Sequence, residues 1–228
     1  MLKEPMMTSP LRLALFDCDG TLVDSQHAIV SAMAAAWVAE GLQPPEPERV
    51  RRVVGLSLVE AVARLLPEAD GPFHERLAEH YKDAFLSQRQ AGAPREPLFP
   101  GILETLETLT GEGVLLGVAT GKSMRGLMTV LEHHDLSRFF VTLQTADLGP
   151  GKPDPDMVFR ALDESGAEAA ATVMIGDTVY DIEMARRARV GAVGVGWGYH
   201  DVEELRAAGA HRLVLDADAL VPAILELL

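Results

Sequence analysis

Short apolar runs alternate with amphipathic stretches along most of this chain, and that rhythm admits few architectures. The runs LRLALF (11–16), VLLGVA (114–119), FFVTL (139–143), TVMI (172–175), AVGVGW (192–197) and the weaker LVL (213–215) are too short for helices and nearly continuously apolar. Strands covered on both faces read in this way. Helical patterns fit between them, near 101–110, 123–134, 155–165, 179–189, 201–208 and 217–227. Strand, loop and helix repeated in this order predict an α/β fold built on a doubly wound parallel sheet.

One interval interrupts the rhythm. From about Ser25 to Ala93 there is helical pattern without strand pattern, which predicts an inserted all-helical module. SQHAIVSAMAAAWVAE stops at Gly41, SLVEAVARLL opens with a Ser57 to Glu60 capping box, and a third helix runs from Pro72 to about Gln90 before Gly92. The proline-rich stretches QPPEPE (43–48) and GAPREPLFPG (92–101) supply a turn and an exit linker. The expected organisation is a core formed by 11–24 and 94–228, a helical module over 25–93, and a flexible N-terminus over 1–10. A chain of 228 residues is long enough for one sizeable core carrying such an insertion.

Composition narrows the possible partners. A net charge of -14 would repel a phosphate backbone over most of the surface, so nucleic acid is not an expected partner. The N-terminus MLKEPMMTSP lacks an apolar targeting segment, and the most apolar helical stretch, around Met33 to Ala39, is too short to span a bilayer. A single cysteine, Cys18, precludes an intrachain disulfide and suits a reducing cytoplasm.

The segment that carries most chemistry, Phe16-Asp17-Cys18-Asp19-Gly20-Thr21-Leu22-Val23-Asp24-Ser25, directly follows the first strand. Alternation along an extended chain puts Asp17 and Asp19 on one side, where two carboxylates repel unless a cation or a shared proton lies between them. Taken alone, Asp19-Gly20 is as readily a turn and Asp17 a loop carboxylate. Thr120 ends the second strand in VATGK, Lys152 sits in GPGKPDPDMVF, and Asp177 with Asp181 follows the fourth strand in MIGDTVYDIEMA. Singly these are a helix cap, a solvated lysine and turn residues. The carboxyl ends of strands in a doubly wound sheet line one crevice, however, so together they form a candidate site.

DCDGTLVDS, VATGK, GKPDPDMVF and IGDTVYDIEMARRARVGAVGVGWG, in that order, resemble the four motifs of haloacid dehalogenase superfamily phosphatases, in the subgroup similar to phosphoglycolate phosphatase. The resemblance implies a Rossmann-like core, an aspartyl-phosphate mechanism on a small phosphorylated metabolite, and a mobile cap formed by the helical interval. It implies that Asp17 attacks phosphorus and that Asp19 protonates the leaving alcohol and then activates water. It implies that Thr120 and Lys152 hold the phosphoryl oxygens, and that Mg2+ is bound by Asp17, the Asp19 carbonyl and Asp177, with Asp181 in support. A hard cation and a lysine would offset the repulsion between an attacking carboxylate and a phosphate dianion. Backbone amides around Gly20, Thr21 and Gly121 are expected to complete the phosphate cradle.

Departures exclude some relatives. A dehalogenase has no need of Asp19. A Schiff-base lysine in the cap is missing, because the one lysine there, Lys82, lies late in the last cap helix. The place of a phosphomutase cap histidine is taken by Ile29. Cys18 lacks the arginine six residues on that a cysteine phosphatase requires, since Asp24 stands there, and it reads as a small buried hydrophobe. The seven histidines show no metal spacing. Arg49 and Arg52, one helical turn apart before Gly55, either bind a second anionic group of the substrate, with Arg52 the stronger candidate, or balance acidic neighbours on a solvated helix. A signalling receiver also uses an acidic pocket, Mg2+, threonine and lysine, but the chain length and the helical insertion stand against it.

Overall fold

The computed structural model describes residues 10–91 and 96–228. Six strands, β1 (Leu13–Phe16), β2 (Leu115–Thr120), β3 (Phe140–Thr145), β4 (Thr172–Gly176), β5 (Gly191–Val195) and β6 (Arg212–Val214), form one parallel sheet in the order β3-β2-β1-β4-β5-β6. The chain winds outward from β1 to β3, then crosses back to β4 on the other side of β1. A crevice therefore opens at the carboxyl ends of β1 and β4, where the winding reverses.

Between β1 and β2 come the helices α1 (Gln26–Ala39), α2 (Pro47–Arg51), α3 (Leu58–Leu65), α4 (Gly71–Gln90) and α5 (Ile102–Gly111). The remaining helices, α6 (Met124–His133), α7 (Asp156–Ser165), α8 (Val179–Ala188), α9 (Val202–Ala207) and α10 (Leu220–Leu225), alternate with strands. Alternating side chains of β1 divide the core between its two faces. Ala14 and Phe16 join Leu106, Leu131 and Ile224 on one side, while Leu13 and Leu15 join Met157, Ile182 and Leu205 on the other. A third apolar cluster, including Met33, Trp37, Val50, Val62 and Leu77, lies among α1 to α4 and touches the core through Tyr180 of α8.

Local signals explain most boundaries. Asp70 accepts from the Phe73 amide at the start of α4, Ser123 accepts from the Gly126 amide at the start of α6, and α7 ends at Gly166 with φ +71°. The expected Ser57 to Glu60 capping box does not form. Ser57 occupies the N-cap position without a side-chain cap bond, and Glu60 instead pairs with Arg64 one turn on at 3.0 Å. The turn expected over 43–48 ends inside α2, because Pro47 is preorganised for a first helical turn. The segment expected as one helix over 217–227 divides into a 3-10 turn, Ala217–Ala219, and α10. The 93/94 boundary and most of the N-terminal stretch over 1–10 lie outside the described residues.

Leu106 is fully buried against the sheet and Val38 is 62% exposed on α1. Urea denaturation should show Leu106→Ala costing about 2–5 kcal/mol and Val38→Ala less than about 0.5 kcal/mol.

Candidate active site

Five side chains converge at the strand ends because each ends, or follows, one of four neighbouring strands, β1 to β4. Asp17 comes immediately after β1, and its amide extends the sheet by donating to Ile175 O (2.9 Å). Thr120 is the last residue of β2, Lys152 lies in the loop after β3, Asp177 follows β4, and Asp181 sits in the first turn of α8. All five are buried, Asp17, Lys152, Asp177 and Asp181 completely.

Lys152 Nζ lies 2.7 Å from Asp17 Oδ1 and 2.6 Å from Asp181 Oδ1. Thr21 Oγ1 donates to Asp177 Oδ1 (2.9 Å) and the Tyr199 amide donates to Asp177 Oδ2 (2.9 Å). The Thr178 amide and hydroxyl both donate to Asp181 Oδ2, at 3.1 and 2.7 Å, so Asp181 caps α8 with one oxygen and faces Lys152 with the other. Asp17 Oδ2 is buried with no hydrogen-bond partner among the described residues.

Carboxylate oxygens of Asp17, Asp177 and Asp181 lie within 4.8 Å of one another, three potential negative charges against one lysine. Burial, opposed by Lys152 and reinforced by Asp181, pushes the Asp17 carboxyl up to about 7. Burial and the Asp17 charge likewise raise Asp177 well above the usual carboxylate range. Burial disfavours the Lys152 ammonium, but Asp17 and Asp181 outweigh it and raise its pKa. An unpartnered oxygen beside an excess of buried carboxylates, with only oxygen donors offered, fits a hard cation.

Asp19 belongs to a second charge system. Its Oδ1 accepts from Ser25 Oγ (2.6 Å) and lies 2.9 Å from Lys122 Nζ, while the Ser25 hydroxyl also meets Tyr199 OH at 3.1 Å. Lys122 Nζ is 3.8 Å from Glu96 Oε2, and Glu96 pairs with Arg89 of α4 at 3.0 Å. The two aspartates expected to share one counter-charge thus each face their own lysine. Alternation ceases at Phe16, where β1 ends and the chain turns about Cys18 O, which accepts from the Leu22 and Val23 amides. Lys122 was not singled out from the sequence, although its place two residues after Thr120 was a usable signal. Ser25 and Tyr199 carried no such signal.

A cavity of about 670 Å³ separates the helical layer from the strand ends, and Asp17, Asp19, Thr120 and Gly121 line it. The other expected contacts lie elsewhere. The Gly20 amide is engaged by Val23 O (2.9 Å), and the Thr21 hydroxyl holds Asp177, so both serve the turn and the carboxylate cluster. Arg52 is absent from the cavity lining. Its guanidinium pairs with Glu204, with Asp201 at 3.4 Å and with Glu48 at 3.7 Å, between the helical layer and α9. Arg49 donates to Leu65 O (3.1 Å). Cys18 is fully buried, and burial raises its thiol pKa well above the ordinary value, as a packing residue requires.

The sequence model of the haloacid dehalogenase-like hydrolases matches residues 14–195, a span that takes in all five converging side chains and the helical interval. The chain belongs to this family. It is 36% identical over 201 residues to "Probable phosphatase IndB" of Dickeya dadantii, covering 86% of each chain, and 34% identical to a phosphoglycolate phosphatase of Agrobacterium fabrum, covering 97% of this chain and 96% of that one. The crystal structure described as a predicted phosphatase from Clostridium acetobutylicum superposes with a TM-score of 0.86 at 27% identity, over 96% of this chain and 100% of that one.

Without metal, the proton held by folded Asp17 stabilises the protein at low pH, and that contribution is lost as pH rises from the unfolded value of 3.8 through about 7. A hard divalent cation bound by the three carboxylates would replace that proton. Its addition should therefore raise Tm more at about pH 8 than at about pH 5. Thermal unfolding with and without the cation checks this, and equal shifts at both pH values would count against the carboxylate cluster as its site.

Proposed function

We propose that the protein is a Mg2+-dependent phosphatase that hydrolyses a small phosphate monoester through an aspartyl-phosphate on Asp17. One observation carries this reading: at the floor of the cavity Asp17 has an unpartnered carboxylate oxygen beside a buried lysine and two further carboxylates, while Asp19 faces the same cavity from a separate ion pair. Names of relatives, phosphatases among them, support the reaction class.

In the first step an Asp17 oxygen forms a bond to phosphorus as the bond from phosphorus to the alcohol oxygen breaks, and Asp19 supplies the proton the alcohol takes away. In the second step Asp19 removes a proton from water, which attacks phosphorus and releases Asp17 and inorganic phosphate. In this reading Thr120 and Lys152 hold the phosphoryl oxygens, while Thr21, Thr178 and the Tyr199 amide keep Asp177 and Asp181 in position. Bound to Asp17, Asp177 and Asp181, with the Asp19 carbonyl as a further donor, Mg2+ would neutralise charge on the phosphoryl group. Asp19 favours a phosphatase over a dehalogenase, which has no acid/base task at that position.

In this reading residues 25–93 form a cap that opens to admit the ester and closes to exclude water. Arg52 acts as part of its latch. Besides the guanidinium pairs, Arg52 O accepts from Tyr180 OH (3.0 Å) and lies 3.3 Å from His200 Nε2. A small phosphorylated metabolite in the cytoplasm, where Cys18 stays reduced, is the substrate class that a closing cap admits.

Asp17→Asn should abolish turnover with Mg2+ present, and Asp19→Ala should lower it by about two to four orders of magnitude. Steady-state phosphate release against a panel of monoesters, phosphoglycolate included, measures both, and near-normal rates in folded Asp17→Asn protein would end this mechanism. Arg52→Ala should change kcat/KM by the same factor for carboxylated and neutral esters, because its partners are protein carboxylates. A selective loss for carboxylated esters would return Arg52 to substrate recognition.

A further inference from the structure

The cavity above Asp17 is large for the smallest phosphate esters. Its volume, about 670 Å³, falls among sites of roughly 300–1,000 Å³ that take drug-sized ligands. Only the floor is needed for the phosphoryl group. The walls belong to the helical layer, and most of their surface is hydrocarbon: Ile29 and Met33 from α1, Val50 and Val54 around α2, Leu56 after it, and Phe85 from α4. Four of these six, Met33, Val50, Leu56 and Ile29, are no more than 7% exposed, so they form a fixed wall.

Three of the four basic side chains that line the same cavity are already paired with carboxylates. Lys122 is held by Asp19 at 2.9 Å, Arg89 by Glu96 at 3.0 Å and Lys82 by Glu79 at 2.7 Å. Arg89 and Lys122 also lie 5.0 and 5.4 Å from the centre of the Phe85 ring, so both cations are engaged by this ring as well as by carboxylates. Arg125, the remaining basic residue of the lining, is exposed at the start of α6, and Arg52 lies outside. A carboxylated leaving group such as glycolate would leave the apolar wall uncovered and would have to compete with Asp19 for Lys122.

We infer that the preferred substrate is a phosphate monoester of an uncharged alcohol with an apolar body of about ring size, which packs against Met33, Val54 and Phe85 while its phosphate sits over Asp17. This rests on the phosphatase reading above and adds the leaving group to it. Burial of a ring against such a wall contributes at least about tenfold in kcat/KM.

The test compares benzyl phosphate, ethyl phosphate and phosphoglycolate with Mg2+ present, three esters of primary alcohols, so that differences report the pocket more than leaving-group chemistry. Benzyl phosphate is expected to exceed both others in kcat/KM by about tenfold or more. Phe85→Ala should lower the benzyl value by a larger factor than the ethyl value, with Phe85→Leu restoring part of the difference. Comparable or higher efficiency on phosphoglycolate would overturn the inference and leave the phosphatase reading intact. Turnover of none of the three nor of any other ester would remove that reading itself. The wild-type comparison decides the matter even if the Phe85 variants fail to fold.

Discussion

Lys152 is the constraint on which the rest of this architecture depends. Its ammonium is fully buried between Asp17 and Asp181, with Asp177 beside them, and each buried ion carries a desolvation penalty of several kcal/mol. The cluster persists because the fold supplies fixed donors to its outer oxygens, from Thr21, Thr178 and the Tyr199 amide. Glycine is required around it for the same reason. A Cβ on Gly20 or Gly198 would come within 2.2 Å of an Asp177 atom, so both loops close on the carboxylate only because they lack one. Three buried carboxylates against one lysine leave an excess of negative charge that a bound cation would offset.

Separation of charge into two systems gives the site its division of labour. The Lys152 system surrounds Asp17, whereas the Lys122 system surrounds Asp19. Each lysine is raised in pKa by its own carboxylates despite burial, Lys122 by Asp19 and Glu96. The second system reaches from the helical layer to the sheet, since Arg89 lies on α4, Glu96 follows the exit from that layer, and Tyr199 follows β5. Asp19 is thereby oriented by groups from both parts of the molecule.

Contact between those parts is close. At Gly121 a Cβ would meet Leu56 O at 2.4 Å and Gly55 O at 2.7 Å, so the main chains of the two parts touch beside Thr120. The position expected from the sequence to lend its amide to a phosphate cradle is thus one where the helical layer presses on the core. Tyr180 and His200 bind Arg52 O on the opposite flank.

What the sequence determined by itself was the α/β rhythm, the helical interval and the placing of Asp17, Thr120, Lys152 and Asp177 at strand ends, because periodicity and the apolar character of each strand are local properties. Local departures came from short-range competition: Glu60 preferred Arg64 to the cap of α3, and Pro47 began a helix inside an expected turn. Tertiary structure alone decided which charges meet. Arg52 and Lys122 are both cations near the proposed chemistry in sequence terms, yet one faces Glu204 and Asp201 outside the cavity and the other faces Asp19 within it. Coulombic pairing depends on distances between segments a hundred residues or more apart, and those distances are set by how the helical layer seats on the sheet, which no local pattern encodes.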